Sequence, residues 1–161
     1  MADQITARAL KKVGLFQGLT NAEMGQVAKL CEEYTCNARE LSVKQGEAQN
    51  AINIILKGRM RVETKLPSAP RDKNDITIDA LCVGEIYPWA ALMNKPASAS
   101  VRAMEPTKTL KLSVEKLMAL CEGNNHIGYV VMKNLAFLIS SRLTRHRLAM
   151  LSAVSGIGEG W

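Results

Sequence analysis

Residues 83–104 read VGEIYPWAALMNKPASASVRAM, from Val83 to Met104. A glycine turn at Gly84 is followed by one acid, Glu85, and then by a short helical segment. The chain returns to an extended pattern at Ala99-Ser100-Val101-Arg102-Ala103. Such a layout sets backbone N–H groups and a helix N-terminus beside a lone carboxylate, which suits an anion and a hydroxyl presented together. A bare Gly-Glu pair is more often only a turn, so the flanks decide the reading.

The flanks have a period of two. Glu40-Leu41-Ser42-Val43-Lys44 alternates and breaks at Gln45-Gly46-Glu47; Ala51-Ile52-Asn53-Ile54-Ile55-Leu56 closes at Lys57-Gly58. Arg59-Met60-Arg61-Val62-Glu63-Thr64 alternates throughout, which predicts Met60 and Val62 inward and the charges outward. Leu66 to Asn74, with two prolines and three charges, reads as an exposed hairpin loop. Ile76-Thr77-Ile78-Asp79-Ala80-Leu81 and Thr109-Leu110-Lys111-Leu112-Ser113 complete the set. Short strands at this spacing, separated by glycine turns, predict a closed or nearly closed β sandwich or barrel.

Helices bracket the strands. A short amphipathic helix is expected from about Gln4 to Lys12 and a second from Asn21 to about Glu33, the latter opened by a Thr20/Glu23 capping box. A third covers Val114 to Cys121, and a long one runs from Ile127 to about Val154, on the order of 40 Å. Met132, Ala136, Ile139, Leu143 and Met150 form one apolar stripe on it, flanked by Leu135, Leu138 and Ala149. The stripe is read as a homodimer seam, against the plainer reading that the helix packs wholly on its own domain. The fold class is α+β, mainly β, as one domain over residues 1–154 with the β-roll at about 34–113; residues 155–161 form a glycine-rich, flexible tail.

With 161 residues and 47% hydrophobic content the chain can bury one core, and 4% aromatic content makes that core aliphatic. Net charge is +6, which permits an anionic partner without requiring one. Cys31, Cys36, Cys82 and Cys121 are far apart and form no CxxC, so they read as reduced thiols of a cytoplasmic protein. No signal-peptide pattern opens the chain, and no apolar run is long enough to span a membrane. The two histidines, His126 and His146, have no triad around them, and no Walker loop or metal-ligand spacing is present. No enzyme activity, cofactor or metal is therefore expected.

From Leu15 to about Leu151 the chain resembles the cyclic nucleotide-binding domains of the catabolite-activator and protein-kinase-A regulatory type. The features that carry the resemblance come in order: Leu15-Phe16-x-Gly18-Leu19, Gln45-Gly46-Glu47, Ile54-Ile55-Leu56-Lys57-Gly58, Gly84-Glu85-Ile86, Ala99-Ser100-Val101-Arg102-Ala103, and Asn134-Leu135-Ala136 with Arg142-Leu143. The resemblance implies a double-stranded β-helix, or jelly-roll, with turn glycines at Gly46, Gly58 and Gly84. It makes the opening stretch a phosphate-binding cassette. Glu85 would accept from a ribose hydroxyl, and backbone N–H groups from Trp89, Ala90, Ala91, Ala99 and Ser100 would meet a cyclic phosphate. Ser98 and Ser100 would add hydroxyls, and His146 and Arg147 of the long helix would lie near the base.

The cassette departs from the family pattern at one point. The family usually has an arginine just before the small-residue pair, and Ala97 stands there. Losing that charge-assisted partner should cost about 1.5–3 kcal/mol, or roughly ten- to a hundredfold in affinity. Lys95 can supply a point charge but not a guanidinium fork. Arg102 lies on the same face as Ser100 and is read as bracing the roll. Trp89 is read as a core or lid residue against a base-stacking platform, and an internal Glu85–Arg102 ion pair stays open as an alternative.

Three functions follow. The first is a regulatory, ligand-sensing module that takes a small anion, a cyclic nucleotide above all, and repositions the long helix. The second is a degenerate fold, its pocket closed by Tyr87 and Trp89, that serves dimerisation or protein interaction. The third, an enzyme with cupin-like metal chemistry, lacks the clustered histidines it needs. No helix-turn-helix segment follows Val154, so DNA binding by that means is not expected.

Overall fold

The computed structural model describes residues 7–65 and 75–157. The start of the first expected helix, the expected hairpin loop at 66–74 and the end of the glycine-rich tail lie outside the described residues. Among those described, eight strands form two four-stranded antiparallel sheets. In chain order they are β1 (Cys31–Cys36), β2 (Leu41–Val43), β3 (Ala51–Lys57), β4 (Met60–Lys65), β5 (Asp75–Leu81), β6 (Ile86–Tyr87), β7 (Ser100–Ala103) and β8 (Thr107–Ser113). One sheet has the order β1-β8-β3-β6 and the other β2-β7-β4-β5. The consecutive strands β3 and β4 fall in different sheets, so the chain winds as a jelly-roll rather than a meander.

β3 explains the apolar run AINIIL. It is buried on both faces, with Ile52 and Ile54 against the helices and Ile55 inside the roll. A strand covered on both sides reads as continuously apolar instead of alternating. The inner core of the roll holds Met60, Leu81, Tyr87, Ala97 and Val101. The outer core joins the first sheet to Leu15, Phe16, Leu117, Ile127 and Val131.

Residues 7–10 are helical, within the first expected helix; the helices after them are α1 (Asn21–Ala28), α2 (Val114–Gly123) and α3 (Asn125–Ile157), with 3-10 turns at Gly14–Phe16 and Trp89–Met93. The Thr20/Glu23 capping box is present, and the Glu23 carboxylate also meets His126 Nδ1 at 2.7 Å. Thr20's backbone N–H, then His126, hold the Glu23 carboxyl below its ordinary range. α3 begins where Asn124 Oδ1 accepts the His126 and Ile127 N–H groups. It continues three residues past the expected end, to Ile157.

Two expectations are corrected. The second helix does not reach Glu33: it ends at Ala28, and Cys31–Cys36 is a strand paired antiparallel with β8 from Cys31↔Leu112 to Cys36↔Thr107. Val27, Leu30 and Cys31 continue a helical apolar spacing, but the unpaired edge of β8 offers this segment a full ladder, and tertiary pairing overrides local preference. The second correction is Glu63, which is only 4% exposed instead of facing water. It does share a face with Arg61. Register sets Arg61 opposite Arg102, and both guanidinium groups close over the Glu63 carboxylate.

Candidate functional site

Gly84 takes φ 89°, as Gly46 and Gly58 also take positive φ (84° and 93°), so the turn roles expected for all three hold. After it Ile86 and Tyr87 pair with β3, and the chain enters the 3-10 turn. That turn has five residues, and its capping position, Pro88, offers no side-chain hydrogen bond. Asn94 ends the turn in the left-handed region, its N–H donating to Ala90 and Ala91 carbonyls.

A groove of about 400 Å³ lies between the roll and α3. Its walls are apolar: Val62 of β4, Ile78 and Leu81 of β5, Tyr87 of β6 and Val101 of β7. Ala90, Ser98 and Ala99 from the cassette border it, and Lys95, Asp79, Arg142 and His146 bring the charge. The Tyr87 side chain is fully buried, with its hydroxyl 3.1 Å from Ser42 Oγ, and burial pushes its phenol well above the ordinary range. Tyr87 thus forms the floor and leaves the groove open.

The expected site residues divide into two sets. Trp89, Ala90, Ser98, Ala99 and His146 border the groove. Gly84 and Glu85 border a separate cavity of about 240 Å³, with Leu138, Ser141 and Arg145. Trp89 and Arg142 belong to both linings and form the partition. Ser100 is buried and its hydroxyl accepts the Gln45 N–H at 3.0 Å. Arg147 is exposed and outside the groove lining. Ala97 faces the inner core, and its backbone exchanges hydrogen bonds with Gly46 and Glu47.

Glu85 is already engaged. One oxygen accepts the Cys82 N–H at 2.8 Å; the other lies 3.5 Å from Arg145 Nη2 and 3.7 Å from Arg142 Nη2. The Glu85–Arg102 alternative is thereby corrected: Arg102 Nε donates to Glu63 at 3.1 Å, and its Nη1 donates to the Arg39 carbonyl. Arg102 braces the roll, as its face implied. Trp89 packs against the outer core: its indole N–H donates to the Ile86 carbonyl at 2.8 Å, and the Arg142 guanidinium covers its ring at 4.4 Å.

Asp79 ties the roll to α3, and nothing in the sequence singled it out. Its carboxylate lies 3.0 Å from Arg145 Nη2, 3.2 Å from His146 Nε2 and 3.4 Å from Arg142 Nε. Burial pushes its pKa up, but the His146 hydrogen bond, the Ala80 N–H and the two guanidinium groups outweigh that and hold it below the ordinary range. Burial lowers the basicity of Arg142, opposed by Asp79 and Glu85. Two of its nitrogens, Nε and Nη2, are buried without a hydrogen-bond acceptor among the described residues. The thiols are quiet by comparison: burial pushes Cys31 up to about 12 and raises Cys36 and Cys121. Among the described residues, no group of three or more His, Cys, Asp or Glu is placed to hold a metal ion, and no helix is long and apolar enough to cross a membrane.

The family model for the cyclic nucleotide-binding domain matches residues 35–124, more than half of the chain. The chain belongs to the cyclic nucleotide-binding domain family. Its fold is the family's β-roll with a long C-terminal helix, a fold that serves regulation. Solved structures agree on the fold. A cyclic nucleotide-binding domain from Methylobacillus flagellatus superposes with a TM-score of 0.81 at 23% identity, covering 94% of this chain and 85% of that one. The regulatory domain of Toxoplasma gondii PKA with cAMP gives 0.71 at 22% identity, covering 89% and 50%. The Thermus thermophilus catabolite activator protein gives 0.71 at 25%, covering 88% and 63%. No curated protein matches the sequence.

Proposed function

We propose that this cyclic nucleotide-binding domain is a ligand-sensing regulatory module of the cytoplasm. A small anionic molecule enters the groove, and its occupancy fixes α3 against the roll. The observation that carries this reading is the shared wall: β4, β5 and β7 supply one side, and Arg142 and His146 of α3 the other. An occupant that touches both sides in only one arrangement shifts the population toward that arrangement. Cyclic nucleotides are the first class to test, since the family binds them. With Ala97 in the arginine position they should bind weakly. Cyclic AMP or cyclic GMP at millimolar concentration is expected to raise the melting temperature, and Glu85→Ala is the control. An unchanged melting temperature in both would remove the nucleotide from this proposal.

A second reading concerns assembly. Beyond its contacts with the roll, α3 exposes Leu143, Leu148, Met150, Leu151 and Val154, each at least 60% accessible. So much large apolar surface on one half-helix suits a helix-to-helix homodimer. Sedimentation should therefore return a dimer at micromolar concentration, and Leu148→Glu with Leu151→Glu should return a monomer. A monomer for the unaltered chain would reject this reading.

A further inference from the structure

The groove carries more information about its occupant than the family does. Its walls are aliphatic and aromatic, with few polar groups, and a volume of about 400 Å³ falls in the range of small-molecule pockets, about 300–1,000 Å³. The groups a sugar phosphate needs are elsewhere. Glu85 faces the neighbouring cavity behind the Trp89–Arg142 partition and is held by the Cys82 N–H. Ala97 sits in the inner core and carries no donor side chain. A ribose and a purine would place several hydroxyl and ring nitrogen groups against walls whose polar partners are few, and unpaired polar groups resist burial.

Charge narrows the class further. Among the described residues of the lining Asp79 is the one acid, against two full cations, Lys95 and Arg142, so one negative charge brings these groups to balance. Arg142 also has unmet demand. Its Nε and Nη2 are buried without an acceptor, and the Asp79 and Glu85 oxygens stand off at 3.4 and 3.7 Å. Those two nitrogens face the Asp79 and Glu85 carboxylates and are closed to solvent, so a carboxylate in the groove would meet the remaining edge of the guanidinium in a charge-assisted hydrogen bond. The guanidinium lies at the end of the apolar walls, stacked on Trp89.

We infer that the groove's ligand is an amphipathic monoanion, an apolar body bearing one carboxylate, and that Arg142 of α3 receives the carboxylate. This rests on the reading above that the groove is a ligand site, and it narrows the ligand. The anion contact thereby moves from the roll, where Ala97 has lost it, to the helix whose position the ligand would report.

The test uses 1-naphthylacetate and octanoate, each beside its neutral amide, with cyclic AMP and cyclic GMP in the same calorimetric and thermal-shift series. The carboxylates should bind at least about tenfold more tightly than their amides and than either nucleotide. Arg142→Gln should lower carboxylate affinity at least about tenfold, whereas Lys133→Gln, on an exposed stretch of α3 away from the groove, should leave it unchanged. Circular dichroism and the ligand-free melting temperature check that Arg142→Gln folds. Should it not fold, Arg142→Lys, which keeps the charge and loses the fork, should still weaken binding. Equal binding of acid and amide, or undiminished binding by both Arg142 variants, would overturn the inference. Tight nucleotide binding without carboxylate binding would overturn it and leave the regulatory reading standing. Binding of none of the six compounds would overturn both.

Discussion

Gly58→Ala is expected to lower the stability of the domain by about 2–5 kcal/mol, the largest effect we anticipate from removing no functional group at all. Gly58 turns the chain from β3 into β4 at φ 93°, where an L side chain is strained by about 1–2 kcal/mol. Space is the second obstacle. A Cβ there would lie 2.5 Å from Thr107 Oγ1, 2.9 Å from Thr107 Cα and 3.0 Å from the Pro106 carbonyl oxygen. Thr107 cannot step aside cheaply, because it is fully buried and its hydroxyl donates to the Glu105 and Arg59 carbonyls. The strand β8 that begins at Thr107 pairs with both β1 and β3, so the push spreads through the first sheet. In a chain of this size the melting temperature should fall by roughly 5–15 °C. Urea unfolding monitored by circular dichroism measures it, and a loss under about 1 kcal/mol would show that the turn relaxes in a way this packing does not allow.

Glu63→Ala should cost about 2–4 kcal/mol, by a different mechanism. Breaking a buried ion pair typically costs about 3–5 kcal/mol because the partner is left charged and desolvated. Here the partners Arg61 and Arg102 are 40% and 26% exposed, so water recovers part of the loss. The remainder is repulsion: Arg61 and Arg102 are directly opposed across β4 and β7, and like charges in that register oppose pairing. Two consequences separate this account from a simple packing defect. Raising the salt concentration should recover some stability in Glu63→Ala, since half-exposed charges are screened. In a double-mutant cycle, Arg102→Ala should cost much less in the Glu63→Ala background than alone. Additive losses insensitive to salt would mean that the bridge is not what holds these strands.

Both predictions concern features that the sequence half disclosed. Gly58 was readable as a turn glycine because Lys57-Gly58 ends an apolar run, and chain reversal requires φ/ψ values open to few residues. The depth of Thr107 beneath it was not readable, since that contact joins segments about fifty residues apart. At Glu63 the alternation gives the side chain its correct face, and its burial is not legible there because one of the two covering guanidinium groups, that of Arg102, belongs to another strand. The strand Cys31–Cys36 was missed for a related reason: its own pattern continues a helix, and only the edge of β8 makes it a strand.

The candidate site divides in the same way. The cassette was legible as a string of local choices: Gly84 for its backbone freedom, a short turn after Tyr87, and the return to β at Ser100. Those choices, with the order of strands and glycine turns around them, identify the family, because turn chemistry and strand alternation are written within a few consecutive residues. The partners were not legible. That Glu85 turns from the groove toward Arg145, that Trp89 lies under Arg142, and that Asp79 collects Arg142, Arg145 and His146 all depend on where α3 crosses the roll. Asp79 and Arg142 are sixty-three positions apart, and their Coulomb interaction exists only once packing has brought them together. The sequence by itself therefore determined the β-roll, its turns and the absence of the cassette arginine at Ala97. The tertiary structure alone decided which charged groups face the groove, because ion pairing acts through a few ångströms of space and not along the chain.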